Sequence, residues 1–207
     1  MPESASLGNT RLEAFVTDGS AQLGIDGVRV GAAYDLARGD ERRRVAEFKR
    51  FRRIPLGETL TLVFENRDTI RSTLEEALRT ERIDDPDRVA GEIAAFNALV
   101  PEPGQLAAVL FLEVADPADL AAAVTQLEGV EDTVFIEVAG TRVRGLPEAV
   151  SPPGESIPAH YLRFSLEPEQ RDAIRSGAGI VVGTQHPNLG VSVRLDEQQR
   201  LALAADL

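Results

Sequence analysis

The chain contains no cysteine among its 207 residues. This absence excludes disulfide bonds, thiol nucleophiles and cysteine-based zinc sites. It also excludes an iron–sulfur cluster held by this chain, because such clusters are bound through thiolates. A redox role would therefore need a metal or cofactor held by other residues, or a partner protein.

Long apolar runs are absent as well. No stretch approaches the roughly 20 consecutive apolar residues of a membrane-spanning helix. The first ten residues, "MPESASLGNT", lack the basic start and apolar run of a secretory signal. The sequence therefore predicts a cytoplasmic protein without a membrane span.

Positive charge is scarce, since the formal net charge is −12 and Lys49 is the only lysine. Nucleic-acid binding is disfavoured because phosphate contacts require lysine and arginine. Hydrophobic residues make up 43% of the chain, enough for a buried core in one domain or two small ones.

The second half of the chain carries a pattern that occurs twice. "AVLFLEV", "ADPADLAAAVTQLEG", "VEDTVFIEV" and "AGTRVRGL" read as strand, helix, strand and strand, and "AHYLRFSL" begins the same order again. Each helix opens with an acidic residue followed by proline, which suits a helix start. We therefore predict an α+β fold with an antiparallel or mixed sheet, built from two βαββ-like units with helices packed on one face. A single pseudo-twofold sheet and two small adjacent sheets both fit this pattern.

The domain boundaries follow from composition. Residues 1–33 are predicted to be an N-terminal extension or divergent start with helical or strand segments, and residues 34–207 a single domain. Two sub-units, 34–146 and 157–207, would be joined by a proline-rich linker at 147–156.

The stretch "FENRDTIRSTLEEALRTERI" contains the strongest local signals. Alternation over 59–65 predicts a half-buried strand, and an apolar stripe at i, i+4, i+7 and i+8 predicts a helix over 68–82. The turn from Asn66 to Asp68 is predicted to cap that helix. A further helix is predicted from Asp40 to about Arg53.

Catalytic signatures are missing from the sequence. We find no phosphate-binding glycine loop, dinucleotide fingerprint, nucleophile elbow or HExxH motif. Whether the protein is an enzyme stays open.

Several carboxylates and both histidines are candidate metal ligands. Glu81 falls within the apolar stripe of its helix, and three other glutamates lie at or near strand ends. Converging carboxylates and imidazoles could bind non-haem iron, manganese or zinc. The alternative is that the glutamates form ordinary ion pairs and the histidines lie in turns. The six candidates are Glu65, Glu81, Glu113, Glu137, His160 and His186.

The segment "RRRVAEFKRFRR" is the exception to the acidic composition, with seven positive residues in twelve. It could dock an acidic partner through complementary charge. The alternative is a solvated helix whose arginines pair with the surplus of acidic residues. The candidate docking residues are Arg42, Arg43, Arg44, Lys49, Arg50, Arg52 and Arg53.

Several of these segments together resemble the bacterial and archaeal domain-of-unknown-function family 3501. They are the basic helix leading into "IPLGETLTLVFENRDTIRSTLEEALRTERI", then "FNALVPEPGQLAAVLFLE", "LEGVEDTVFIEVAG", "HYLRFSL" and "GTQHPNLGVSVRL". The family carries no defined activity or catalytic residues. The resemblance implies a genomic context beside rubrerythrin-like proteins and iron–sulfur oxidoreductases, and hence oxidative-stress or electron-transfer biology.

Two hypotheses follow. The first is a non-catalytic accessory protein that binds protein partners of a rubrerythrin or iron–sulfur oxidoreductase system. The alternative is a metal-binding protein or metalloenzyme with a carboxylate–histidine site. A homo-oligomer is compatible with either hypothesis.

Overall fold

The computed structural model describes residues 22–148 and 159–207. The helices are α1 (Ala32–Lys49), α2 (Arg67–Thr80), α3 (Pro86–Asn97), α4 (Leu120–Gln126), α5 (Pro168–Arg175) and α6 (Glu197–Ala204). The strands are β1 (Arg53–Leu56), β2 (Leu60–Glu65), β3 (Gln105–Leu112), β4 (Val134–Val138), β5 (Thr141–Arg144), β6 (Leu146–Pro147), β7 (Ala159–Ser165), β8 (Ile180–His186) and β9 (Leu189–Arg194). None of the described helices is long and apolar enough to cross a membrane.

The strands form two antiparallel sheets. The first has the order β1-β2-β3-β7-β6 and the second has the order β5-β4-β8-β9. The predicted α+β class is confirmed, and two adjacent sheets occur instead of a single continuous one.

The two predicted βαββ units are present as β3-α4-β4-β5 and β7-α5-β8-β9. The first strands of the two units pair with each other, with Ala108 opposite Leu162. The following hairpins pair in the other sheet, with Ile136 opposite Val182. Both halves therefore contribute to both sheets. Of the predicted linker, Pro147 belongs to β6, and residues 149–156 lie outside the described part of the chain.

The main core draws on both sheets. Alternate residues of β2, such as Leu62 and Phe64, belong to the same buried cluster as Val134 and Ile136 of β4. The rings of Phe64 and Phe164 have centroids 6.1 Å apart. Helices α4, α5 and α6 add smaller contributions to this cluster. Burial of these apolar side chains is the main stabilising term of the fold.

A second buried cluster lies on α2 and α3. The predicted stripe of α2, including Ile70 and Leu74, packs here with Ile93 of α3. Leu23 and Val28 join this cluster, so residues 22–31 are attached to the body. Helices therefore pack at more than one surface of the fold. Residues 1–21 of the predicted extension lie outside the described chain.

Helix α1 differs from the predicted helix over 40–53. It begins eight residues earlier, at Ala32, after Gly31 with φ of 55°. The helix continues through Gly39 because tertiary contacts override the low helix propensity of glycine. The helix ends earlier than predicted, at Lys49, and Arg53, its predicted last residue, begins β1. In this strand Ile54 and Leu56 point into the core, and the residues that alternate with them are exposed.

Candidate functional site

Glu81 lies at the end of α2 and not within a buried stripe. It is the C-cap residue and is exposed, while the stripe ends with the buried Leu78. The N-terminus of the same helix is capped as predicted, since Asn66 Oδ1 accepts from the amides of Asp68 and Thr69, each at 3.1 Å. The stretch is therefore a capped strand–helix joint.

The strand glutamates point to separate places. The β2–β3 pairing runs from Leu60 opposite Leu112 to Glu65 opposite Ala107. Glu113 follows Leu112, so it lies six residues along the strand pair from Glu65, roughly 20 Å at about 3.4 Å per residue.

Each strand glutamate has a partner of its own. Glu65 accepts from Lys49 Nζ at 2.7 Å, and Glu137 in the other sheet accepts from Arg142 Nε at 2.7 Å. Glu113 accepts from Thr61 Oγ1 at 2.7 Å and from Arg53. The hydrogen bond from Thr61 is the largest effect on Glu113 and lowers its pKa, and Arg53 lowers this pKa further. Partial burial acts in the opposite direction but is outweighed.

His186 is buried and satisfied by hydrogen bonds. Asn188 N donates to its Nδ1 at 3.2 Å, so Nε2 carries the proton and donates to Glu128 O at 3.1 Å. Both ring nitrogens are occupied, and binding of a metal would break one of these bonds. His160 is half-buried on β7, with Nε2 3.8 Å from Glu131 Oε2.

The six predicted ligands do not form a common site. Within residues 22–148 and 159–207, no group of three or more carboxylates or imidazoles is placed to hold a metal ion. The structure therefore does not bring these six residues together: Glu81 lies at the end of α2, and the strands carry the others to different ends and sheets. The two histidines do approach the same loop, residues 128–131, from different sheets.

Arg52 does not belong to the docking surface predicted from the sequence, because its side chain is only 1% exposed. Its guanidinium lies 4.1 Å above the ring of Phe48 and donates to Asp206 and to Ala202 O. A residue buried in this way cannot contact a partner. Its partners near the C-terminus could not be inferred from the local pattern.

Arg44 and Lys49 also form ion pairs within the protein. Arg44 Nη2 lies 2.7 Å from Glu41 Oε1, and Lys49 pairs with the buried Glu65. Both cationic side chains are 30% exposed. Arg44 Nη1 also lies 3.5 Å from Asp68 Oδ2 of α2, so both cations connect α1 to the body of the fold.

The remaining predicted cations are accessible. Arg42 and Arg50 are exposed, and Arg43 is exposed beside Asp40. Arg50 also stacks over the Phe51 ring at 5.5 Å. Arg53 is 49% exposed and pairs with Glu113. The accessible basic surface of α1 is therefore narrower than the sequence predicted.

A charge network attaches α1 to α2, and no sequence pattern indicated it. Glu41 of α1 is buried and lies within 3.3 Å of Arg29, Arg44 and Arg71. Burial alone would raise the pKa of Glu41, but the hydrogen bonds from Arg44 and Arg29 outweigh it and lower the value to about 2. Arg29 also binds the fully buried Glu75 through two side-chain bonds of 3.0 and 2.8 Å.

A second group of polar contacts lies nearer the start of α1. Tyr34 Oη donates to Glu76 at 2.7 Å, and Arg38 Nε donates to the same carboxylate at 3.0 Å. Arg38 lowers the pKa of Glu76 to about 2, with burial opposing and Tyr34 assisting. Burial, followed by the contact with Glu76, raises the pKa of Tyr34. Polar contacts therefore dominate the interface between α1 and α2.

The pattern that defines the family described as "Protein of unknown function (DUF3501)" matches residues 25–207. The chain belongs to this family. The match confirms the resemblance found in the sequence and extends it to residue 25, so the DUF3501 unit includes the whole of α1.

A solved structure shares the DUF3501 fold of this chain. It is the crystal structure of a novel protein of unknown function from Burkholderia pseudomallei K96243, 31% identical in sequence with a TM-score of 0.83. The likeness covers 90% of this chain and 99% of the other. A search of curated proteins finds no match.

Proposed function

We propose that the protein is a non-catalytic accessory protein that docks onto an acidic surface of a partner through the exposed side of α1. The partner would belong to a rubrerythrin or iron–sulfur oxidoreductase system, as the family resemblance implies, and the complex would form in the cytoplasm.

The observation that carries this proposal is a line of exposed side chains on α1 and its C-cap residue, Arg50. Leu36, Arg43 and Arg50 are spaced seven residues apart, so each follows the last with a drift of only about 20°. Leu36 is 89% exposed, and both arginines are exposed. A bare apolar side chain in line with arginines is typical of protein interfaces, where arginine and large apolar residues are enriched.

The local charge on α1, and not the net charge of the protein, favours an acidic partner. The protein carries a net charge of −12, so its overall field repels an acidic protein. Arg42, Arg43 and Arg50, against the exposed Asp40 and Glu47, leave the C-terminal half of α1 with a small positive excess that can orient such a partner during encounter. Docking in this orientation would place the rest of the acidic surface away from the partner.

A capture experiment tests the proposal. A purified rubrerythrin-like protein and an iron–sulfur oxidoreductase from the same organism are immobilised separately and exposed to this protein. The test variant carries Arg42→Glu, Arg43→Glu and Arg50→Glu. The matched control carries Arg82→Glu, Arg88→Glu and Arg144→Glu, which are exposed positions outside α1.

Both variants change the net charge by the same amount. We expect at least one partner to capture the wild type and the control, while capture of the α1 variant falls by about tenfold or more, the equivalent of one or two lost charge contacts. Unchanged capture of the α1 variant would contradict the proposal. Equal loss in both variants would also contradict it, because net charge alone would then explain the binding.

A further inference from the structure

An apolar cavity of about 200 Å³ lies between β3 and α4. Its walls include Leu60, Leu110 and Leu112 of the five-stranded sheet and Val130 of the loop after α4. These four side chains are at most 8% exposed. Val124 of α4, 41% exposed, lies at the solvent side of the cavity.

The loop that closes one wall is fixed by the other sheet. His186 Nε2 donates to Glu128 O at 3.1 Å, and Asn188 Nδ2 donates to Gln126 O at 2.8 Å. Gly129 adopts φ of 79°, a conformation that a side chain would strain. The loop is therefore held in place before any ligand arrives, which lowers the entropic cost of binding.

The size and lining of the cavity indicate which apolar group it can hold. An apolar protein cavity of roughly 150 Å³ accepts a benzene ring. This cavity is somewhat larger and is walled mainly by leucine and valine side chains. It fits one aromatic ring or a short branched aliphatic chain.

The residues at the mouth of the cavity indicate the charge of the ligand's polar group. Glu128 and Glu131 line it together with His160, whose Nε2 is 3.8 Å from Glu131 Oε2. Glu131 is 23% exposed, so its charge is partly shielded from water. Two carboxylates beside an apolar space favour a cationic group and repel an anionic one.

We propose that this cavity binds a small hydrophobic amine, with the apolar body between β3 and α4 and the ammonium group donating to Glu131. This site is separate from the docking surface of α1 and does not depend on the proposed function. The two proposals can therefore fail independently.

Three probes of similar shape and different charge test the assignment. Benzylamine, benzyl alcohol and benzoate are titrated into the isotopically labelled protein at low salt, and amide shifts of residues 124–131 report binding. We expect benzylamine to bind more tightly than benzyl alcohol by about threefold or more, the scale of one partly exposed charge contact, and benzoate to bind weakest. Absence of benzylamine binding would overturn the proposal, as would equal or tighter binding of the alcohol or benzoate.

Two kinds of variant locate the binding. Val124→Trp should fill the cavity from a partly exposed position and weaken benzylamine binding by about tenfold or more. Val124→Ala, the matched control, should retain binding. Glu131→Gln should remove the preference for the amine over the alcohol without loss of alcohol binding. Benzylamine affinity unchanged by Val124→Trp, or an amine preference unchanged by Glu131→Gln, would overturn the site.

Discussion

Arg52 and Asp206 lie 154 positions apart in the chain and form a buried ion pair. Arg52 Nη2 donates to Asp206 Oδ1 at 2.8 Å, and Nη1 donates to the other carboxylate oxygen. Asn66 Nδ2 also donates to Oδ1, at 2.8 Å. Asp206 therefore connects the C-terminal residues to the positions just before β1 and α2.

Removal of the Asp206 charge should destabilise the fold strongly. Asp206→Asn leaves the Arg52 guanidinium buried without its counter-ion, and breaking a buried pair in this way costs about 3–5 kcal/mol. Urea unfolding of the wild type and the variant measures the difference. Asp172→Asn, which alters an exposed pair with Arg175, is the control and should change stability by about 0.5 kcal/mol or less. Equal midpoints for wild type and Asp206→Asn would contradict a structural role for the pair.

The network around Glu41 predicts acid sensitivity. The pKa of this carboxyl falls from its ordinary value of 4.5 to about 2 in the folded protein. The folded state therefore binds fewer protons than the unfolded state between these values. The stability that Glu41 contributes is fully present above about pH 4.5 and decreases as the pH falls towards 2.

This contribution is about 3 kcal/mol at neutral pH. Glu41→Gln should lower the free energy of unfolding by that amount at pH 7, and the difference from the wild type should shrink by pH 3. Glu47→Gln, at an exposed position on the same helix, is the control. A wild-type-to-variant difference that stays constant from pH 7 to pH 3 would rule out the titration of Glu41 as its cause.

Lys49 and Glu65 form a coupled pair of a different kind. Glu65 is 8% exposed, and its Oε2 has no hydrogen-bond partner among the described residues. Lys49→Met should therefore lower stability by about 2 kcal/mol, less than a fully buried pair because Lys49 is partly solvated. The double variant Lys49→Met/Glu65→Leu should recover most of this loss, since no charge is left buried.

A double-mutant cycle on Lys49 and Glu65 measures the coupling directly. The same cycle on Arg142 and Glu137 provides the comparison, because that ion pair is more exposed. We expect the second coupling to be below about 1 kcal/mol. Similar coupling free energies for the two pairs would show that burial of Glu65 does not strengthen its interaction with Lys49.

Local signals explain which parts of the fold could be predicted from sequence. Helix α2 was predicted because Asn66 caps it and its apolar stripe has a regular period, and both features depend on neighbouring residues. The second βαββ unit was recognisable because Pro168 begins α5, as expected for a proline at a helix start. In the first unit Pro117 begins a 3-10 turn that leads into α4.

Long-range contacts explain the failures. Arg52 resembles its basic neighbours in sequence, and only its distant partner Asp206 makes it a buried residue. Glu65 and Glu113 both lie at strand ends, but the antiparallel pairing of β2 and β3 separates them. The network of Glu41 and Glu75 depends on Arg29, which lies 46 positions from Glu75. Residue spacing alone contains none of these relationships.

The salt dependence of binding tests most directly whether α1 docks an acidic partner. Binding of the purified protein to the rubrerythrin-like protein and the iron–sulfur oxidoreductase would be measured at about 50 mM and 500 mM salt, since screening is much stronger at the higher concentration. We predict binding to at least one partner at low salt that weakens at high salt and falls by about tenfold or more in the Arg42→Glu/Arg43→Glu/Arg50→Glu variant. No binding to either partner at low salt, or binding that neither salt nor the variant changes, would contradict the account.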